Sequence, residues 1–270
     1  ANTTSPVSGY WGGVIINGKA PISGSKTDKS DTALTEINND YKYGGSAADD
    51  NSGSLTYVKI CYAGARSTAD IEHNGLTLNG VGNGTKIENI YVLESADDAI
   101  EFFGGTVNVT NLLAVNPDDD MFDFTQGYCG TLKNCYGVWE SDYTSTEADP
   151  RGIEADGNMD GLYPDHLRQS DFKVENMTIV NNAANTADNV DRMQDVIKIR
   201  RGAKATITNA LVKGTGGAID LVDMKDSKGA GNIESSIHIT NTLSFTGLKQ
   251  NGELNTFVES ADNTGADASL

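Results

Sequence analysis

"ESADDAIEFFGG", residues 94–105, is followed 22 residues later by "NPDDDMFDFTQG", residues 116–127. Each stretch carries an acidic cluster, an apolar-acidic-apolar run and a glycine. Two such stretches are either a pair of carboxylate sites or one structural unit said twice, and the rest of the chain decides between them. Strand-like runs containing an Asn recur as "KIENIYV", "NVTNLLAV", "TLKNCYGV", "KVENMTIV", "TITNALV" and "HITNTLSF", which put Asn89, Asn111, Asn134, Asn176, Asn209 and Asn241 in one series. A second series, "NGLTLNG", "AIEFFGG", "MFDFTQG", "GIEADGN", "VIKIRRG" and "AIDLVD", centres on Thr77, Glu101, Asp123, Glu154, Lys198 and Asp220. The step from each Asn to the next centre is 12, 12, 20, 22 and 11 residues, the long steps marking insertions at 140–151 and 182–195. The acidic stretches are therefore first of all one repeat.

A unit of about 22 residues with two short strands cannot bury its apolar face alone; stacked on copies of itself, it can. Helical periodicity is poor, and the apolar residues alternate or cluster between Gly, Asn and Asp, which is strand-and-turn chemistry. The expectation is an all-β chain, a single-domain right-handed parallel β-helix over 1–270 with about seven coils, each strand ~4.8 Å from its counterpart. Residues 9–54 read as an N-terminal cap and first partial coil, with Trp11 as the plug of the core. Residues 55–247 read as regular coils and 248–270 as a polar tail. The recurring Asn suits a tight bend, where it tolerates the left-handed conformation, and six stacked amides are expected to form a hydrogen-bonded ladder.

Acidic residues outnumber basic ones 38 to 20, giving a net charge of −18. That balance argues against nucleic acid or an anionic membrane as partner and favours cations or polyhydroxylated ligands. No apolar run approaches the ~20 residues of a transmembrane segment. The start at Ala1 reads as a processed product with its export signal removed. Cys61, Cys129 and Cys135 form no metal pattern and read as small buried hydrophobes. A Cys129–Cys135 bridge requires a turn between the two.

The Asn ladder and the coil length resemble right-handed parallel β-helix proteins of the pectate-lyase-like superfamily. More narrowly, "GYWGGVIINGKAPI" (9–22), "GSLTYVKICYAG" (53–64), "NGLTLNGVGNGT" (74–85), "DDAIEFFGGTVN" (97–108) and "DDDMFDF" (118–124) resemble a family of secreted bacterial β-helix proteins, often lipoproteins. That resemblance implies a fold and an address, extracellular or on the outer cell surface of a bacterium, and no activity.

In register, Glu101, Asp123, Glu154, Lys198 and Asp220 form a column, and the apolar residues flanking each turn it outward. Asp98, Asp120, Arg151 and Asp195 form a second column at the bend. Like charges stacked at ~5 Å repel appreciably even at high dielectric, so water, a cation, later basic residues or protonation must relieve them. One reading is a solvated acidic face with Lys198 pairing to Glu154 and Asp220. Another is a Ca²⁺ site drawing oxygens from Asp98, Asp119, Asp120, Asn116 and Asp156, with Asp97 close by. A third is a polysaccharide hydrolase or lyase using Glu101, Asp123, Glu154, Lys198 and Arg200. "ADDAI" and "VIKIRRG" are similar to elements of polygalacturonase-type hydrolases, but Lys198, Ile199 and Arg200 run in reversed order and no Gly-His-Gly element is present. The insertions should wall the acidic face into a groove, with Tyr143, Tyr163, His166 and Trp139 as ligand-stacking candidates. The sequence thus favours a binding or structural protein over an enzyme: a surface protein engaging polysaccharide or cell-surface glycan with Ca²⁺ assistance. A degrading enzyme and a subunit self-associating end to end into a fibre are the alternatives.

Overall fold

The computed structural model of the chain describes residues 7–24, 32–68, 71–159, 166, 168–183, 193, 195–216, 218, 220–224, 235–244, 249–250, 253–254 and 258–259. The coils stack as two parallel sheets. One has eight strands: Val14–Asn17, Leu76–Asn79, Ile100–Phe103, Phe122–Thr125, Ile153–Asp156, Asp195–Arg200, Asp220–Asp223 and Val258–Glu259, paired in that order. The other has seven, from Ser54–Cys61 through Lys86–Leu93, Val109–Val115, Thr131–Trp139, Asp171–Asn181 and Lys204–Lys213 to Ser236–Ser244. This is a parallel β-helix. Among the described residues, no helix is long and apolar enough to cross a membrane.

Alternation within each short strand decides which side chains enter the coil. In Ile100–Phe103, Ile100 and Phe102 are fully buried, whereas Glu101 between them is only half-buried and faces outward. Phe122, Asp123 and Phe124 repeat the pattern one coil later. Inside, Phe102, Phe124 and Phe172 stack in succession, with ring centroids 5.0 Å and then 4.1 Å apart. Glycines close these strands because the chain must turn there at positive φ: Gly105 has φ 84°, and a β-carbon on it would lie 2.4 Å from the Val81 carbonyl oxygen.

The seven-stranded sheet carries the amide ladder. Asn111 donates to the Asn89 side-chain oxygen at 2.8 Å, Asn134 to Asn111 at 3.0 Å, and Asn176 to Asn134 at 2.8 Å. Asn209 then donates to Asn176 at 2.9 Å and Asn241 to Asn209 at 3.1 Å. All six sit at φ between 54° and 60°. Tyr57, also left-handed at φ 55°, occupies the position one coil earlier.

Two details differ from the sequence reading, and a third, the burial of the cysteines, differs in part. Trp11 does not plug the core: it is 37 % exposed, and its indole N–H donates to the Cys61 carbonyl at 2.8 Å. Asp220 does not follow Lys198 in register. Lys198 pairs with Asp223 and Asp195 with Asp220, because the strand enters the sheet three residues earlier than the apolar pattern suggests. All three cysteines are free; Cys135 is buried, and Cys61 and Cys129 are half-buried.

A β-hairpin, Thr32–Leu34 with Lys42–Gly44, stands apart from both sheets. Phe103 emerges on the outer face of the eight-stranded sheet, where Ile22 and Tyr43 cover it together with Ala33 and Met159. Tyr43 also donates its hydroxyl to the Gln126 side-chain Oε1 at 2.6 Å. These contacts hold the base of the hairpin beside the outward column.

Candidate cation-binding cleft

The outward column runs Thr77, Glu101, Asp123, Glu154, Lys198 and Asp223 in strict register. Its two halves have different electrostatic fates. In the later coils, the described acids of the column, Glu154 and Asp223, each meet a base. Arg151 and Arg200 both bond Glu154, and Arg200 Nε donates to Asp156 at 2.7 Å. Arg201 reaches the same Asp156 at 2.8 Å. Lys198, 2 % exposed, donates to Asp223 at 2.6 Å. In the earlier coils the acids face one another across a cleft of about 200 Å³ lined by nine residues, all carboxylates: Glu36, Glu72, Asp97, Asp98, Glu101, Asp119, Asp120, Asp123 and, at its edge, the paired Glu154; of these Glu72 also pairs with Arg66, at 3.1 Å.

The bend column supplies the deepest of these. Asp98 accepts the Asp120 backbone N–H at 2.9 Å, and Asp120 accepts the Arg151 N–H at 2.6 Å. Each coil thereby fixes the carboxylate of the coil before it. Asp98 and Asp120 are buried, while Asp119, Glu101 and Asp123 keep partial access through the cleft mouth. Side-chain oxygens of Asp97, Asp98 and Asp119 lie within 4.8 Å of one another, as do those of Asp98, Glu101 and Asp123. The two trios share Asp98. One oxygen of Asp123 is buried without any hydrogen-bond partner.

Burial, then mutual repulsion, raises the proton affinity throughout. Asp98 is pushed well above the ordinary carboxylate range by burial and then by Asp97, Asp123, Asp120 and Glu101. Glu101 is raised by burial and then by Asp123, Glu36 and Asp97, an effect only partly offset by the amide of Asn74. Asp120 and Asp123 behave likewise. Asp119 is raised to about 7, first by burial and then by Glu154 and Asp149, against which Arg151 acts. Unneutralised, this cleft holds its carboxylates close only by binding protons or cations.

The residues singled out in the sequence divide sharply. Glu101, Asp123, Glu154, Asp98, Asp119 and Asp120 all line the cleft. Asn116 does not: its amide exchanges hydrogen bonds with Glu140, one coil later, at 2.9 Å and ties the two coils together. Asp156, Lys198 and Arg200 do not line the cleft and are occupied by ion pairs, Arg200 reaching its edge through Glu154. Asp118, first of the three-Asp run, anchors the 140–151 insertion instead, accepting the Tyr143 hydroxyl at 3.1 Å and the Thr146 N–H at 2.7 Å.

Among the described residues, no aromatic side chain lines the cleft. Trp139 is 1 % exposed and donates to the Pro117 carbonyl, so it is core, with Tyr143 packed 6.0 Å from it. His166 is buried, and its Nε2 accepts the Gly24 N–H at 3.3 Å. Tyr163 lies outside the described residues, as do parts of the insertions at 160–165, 184–192 and 225–234 and the Asp220 side chain. Glu36 and Glu72, which complete the wall, carry no repeat signature. The nearest hint was Asn74, which register places one coil before Asp98 and beside Glu72.

The family model for the pectate-lyase-like β-helix domain matches residues 1–269. No curated protein and no solved structure gives a match.

Proposed function

We propose, from the membership of this chain in the pectate-lyase-like β-helix domain family, that it binds a carboxylate-bearing extracellular polysaccharide through divalent cations held in the acidic cleft. The observation that carries this reading is the spacing of the two trios. Oxygens on opposite sides of a Ca²⁺ ion stand ~4.6–5.2 Å apart, since each bond is 2.3–2.6 Å. The trios, with one oxygen from each residue within 4.8 Å of the others, have the spacing of oxygens around one ion. Calcium also takes six to eight oxygens, and Asp97, Asp98, Asp119, Glu101 and Asp123 supply that kind of donor, none of them held in an ion pair among the described residues. A cleft of 200 Å³ is smaller than the ~300–1,000 Å³ of an ordinary organic ligand pocket, so it holds ions and their water while a glycan lies across its mouth. With the aromatic candidates Trp139, Tyr143 and His166 turned inward or locked, the contact is ionic and hydroxylic rather than stacked. An extracellular or outer-surface setting, where free calcium is abundant, accords with the reading.

Glycoside hydrolysis is the less favoured alternative: its two carboxyls stand ~5–9.5 Å apart around a sugar linkage, and the acids within each trio are packed more tightly than that. End-to-end association keeps one supporting observation. Val14, Ile16, Leu55 and Val58 of the first coil are only partly buried, whereas their counterparts one coil later are at most 2 % exposed.

The test is retention of the full chain on immobilised polygalacturonate, alginate and dextran, with calcium and with chelator. Calcium-dependent retention on the acidic polymers alone is the expected outcome. Equal retention in chelator removes the cation bridge, and no retention on any polymer removes the glycan.

A further inference from the structure

The two carboxylate trios come from the same pair of coils. Asp97 and Asp98 of one coil meet Asp119 of the next, while Asp98 and Glu101 meet Asp123, the register partner of Glu101. Asp98 alone belongs to both sets. Its place at the bend is taken by Asn74 one coil earlier and by Arg151 two coils later, so the acidic array is bounded on both sides.

Asp98 has the shape of a shared ligand. It lines the cleft and is 5 % exposed. Its Oδ1 accepts the Asp120 backbone N–H at 2.9 Å, which fixes the carboxylate in place. Its other oxygen has no hydrogen-bond or ion-pair partner among the described residues. Asp123, in the second trio, likewise keeps a buried oxygen without a partner. Acceptors withdrawn from water and left without donors call for a proton or a cation. An ionised carboxylate offers about four lone-pair sites, enough for one N–H and two ions.

Charge argues for two ions rather than one. The trios together contain five carboxylates, Asp97, Asp98, Glu101, Asp119 and Asp123. A single divalent ion leaves most of that charge uncompensated, and a pair nearly cancels it. Of the other acids in the lining, Glu72 and Glu154 already have arginine partners.

We infer that the cleft holds two divalent cations side by side, bridged by the Asp98 carboxylate, one completed by Asp97 and Asp119 and the other by Glu101 and Asp123. The inference rests on the cation-binding reading of the cleft and adds the number of ions and the reason an acidic chain is accepted. Two-ion centres hold their metals ~3.5–4 Å apart, and a cleft of about 200 Å³ has room for both with several waters. Calcium takes six to eight oxygens, so a trio leaves positions on each ion for water or a glycan carboxylate. With one ion the cleft still repels such a carboxylate; with two it attracts one.

Equilibrium dialysis of the full chain against calcium chloride counts the ions. Two per chain are expected in the wild type, one in Asp97→Asn/Asp119→Asn and one in Glu101→Gln/Asp123→Asn. Asp98→Asn, which keeps the acceptor for the Asp120 N–H, should weaken both by at least tenfold, with a chelator-state unfolding midpoint no lower than the wild type's. One ion per wild-type chain overturns the pair and leaves the cation-binding reading standing. Two ions of which Asp98→Asn loses only one overturns the bridge. No bound calcium in the wild type removes both.

Discussion

Two polar columns climb this molecule, one on each sheet, built by the same repeat at the same spacing. On the seven-stranded sheet the column is Asn, whose side chain both donates and accepts, so each rung satisfies the next and six residues form a closed ladder. On the eight-stranded sheet the column is Glu and Asp, which when ionised only accept and repel. Stacking that stabilises the first column destabilises the second. The later coils resolve the conflict with Arg151, Lys198 and Arg200; the earlier coils leave it open, and the open part is the cleft. A repeat can thus supply rigidity with one side chain and a site with another.

The comparison can be broken most forcefully at Lys198. Lys198→Met leaves Asp223 buried beside a lost partner, a change that costs ~3–5 kcal/mol, and urea unfolding should show it as a lowered midpoint. A loss under 1 kcal/mol would mean that the later coils are not held by their ion pairs. Calcium comes next. At a hundredfold excess over Kd it should add ~2.7 kcal/mol, or about 5–10 °C in Tm for a chain of this size. Differential scanning calorimetry with chelator as reference checks this, and the shift should vanish in Asp98→Asn/Asp120→Asn.

The amide ladder predicts a smaller penalty. Asn134→Ala removes its two rung bonds and leaves a β-carbon in the left-handed region, about 2 kcal/mol in all; Asn134→Gly should recover roughly half of that. Equal losses in the two variants would show that φ at this bend carries no cost. The smallest effect has the opposite sign. Asp98→Asn keeps the acceptor for the Asp120 N–H but removes a buried charge, so without calcium it should stabilise the chain by ~1 kcal/mol.

The pH dependence follows from the same contrast. Asp119 binds its proton at about 7 in the folded chain, and Asp98, Asp120, Asp123 and Glu101 are all raised well above their ordinary values. Between the raised folded values and the ordinary unfolded ones near 4, the folded state binds more protons than the unfolded state. Stability in chelator should therefore rise as pH falls from about 7 toward 5, the reverse of the usual carboxylate trend. Saturating calcium, which binds the deprotonated form, should flatten or invert that slope. A chelator-state Tm that falls steadily over this range would mean that the cleft acids are paired after all.

Much of this was legible in the chain. The 22-residue step between "ESADDAIEFFGG" and "NPDDDMFDFTQG" requires stacked coils, because a unit that short has no core of its own. Alternation around Glu101 and Asp123 then requires that they point outward. The Asn series follows from the same step, since a left-handed bend with a self-complementary amide needs nothing from elsewhere in the molecule. What the sequence could not settle depends on residues that do not repeat. Glu36 and Glu72 reach the cleft from a hairpin and a connecting segment far from it in the chain. Trp139, Tyr143 and His166 are held by hydrogen bonds to Pro117, Asp118 and Gly24, partners distant in the chain that only the stacked coils bring within reach. The slip from Asp220 to Asp223 reflects pairing of a whole strand, which a six-residue motif does not encode. Repetition fixes the columns through short-range geometry; only the folded chain decides which carboxylates keep a base and which are left facing one another.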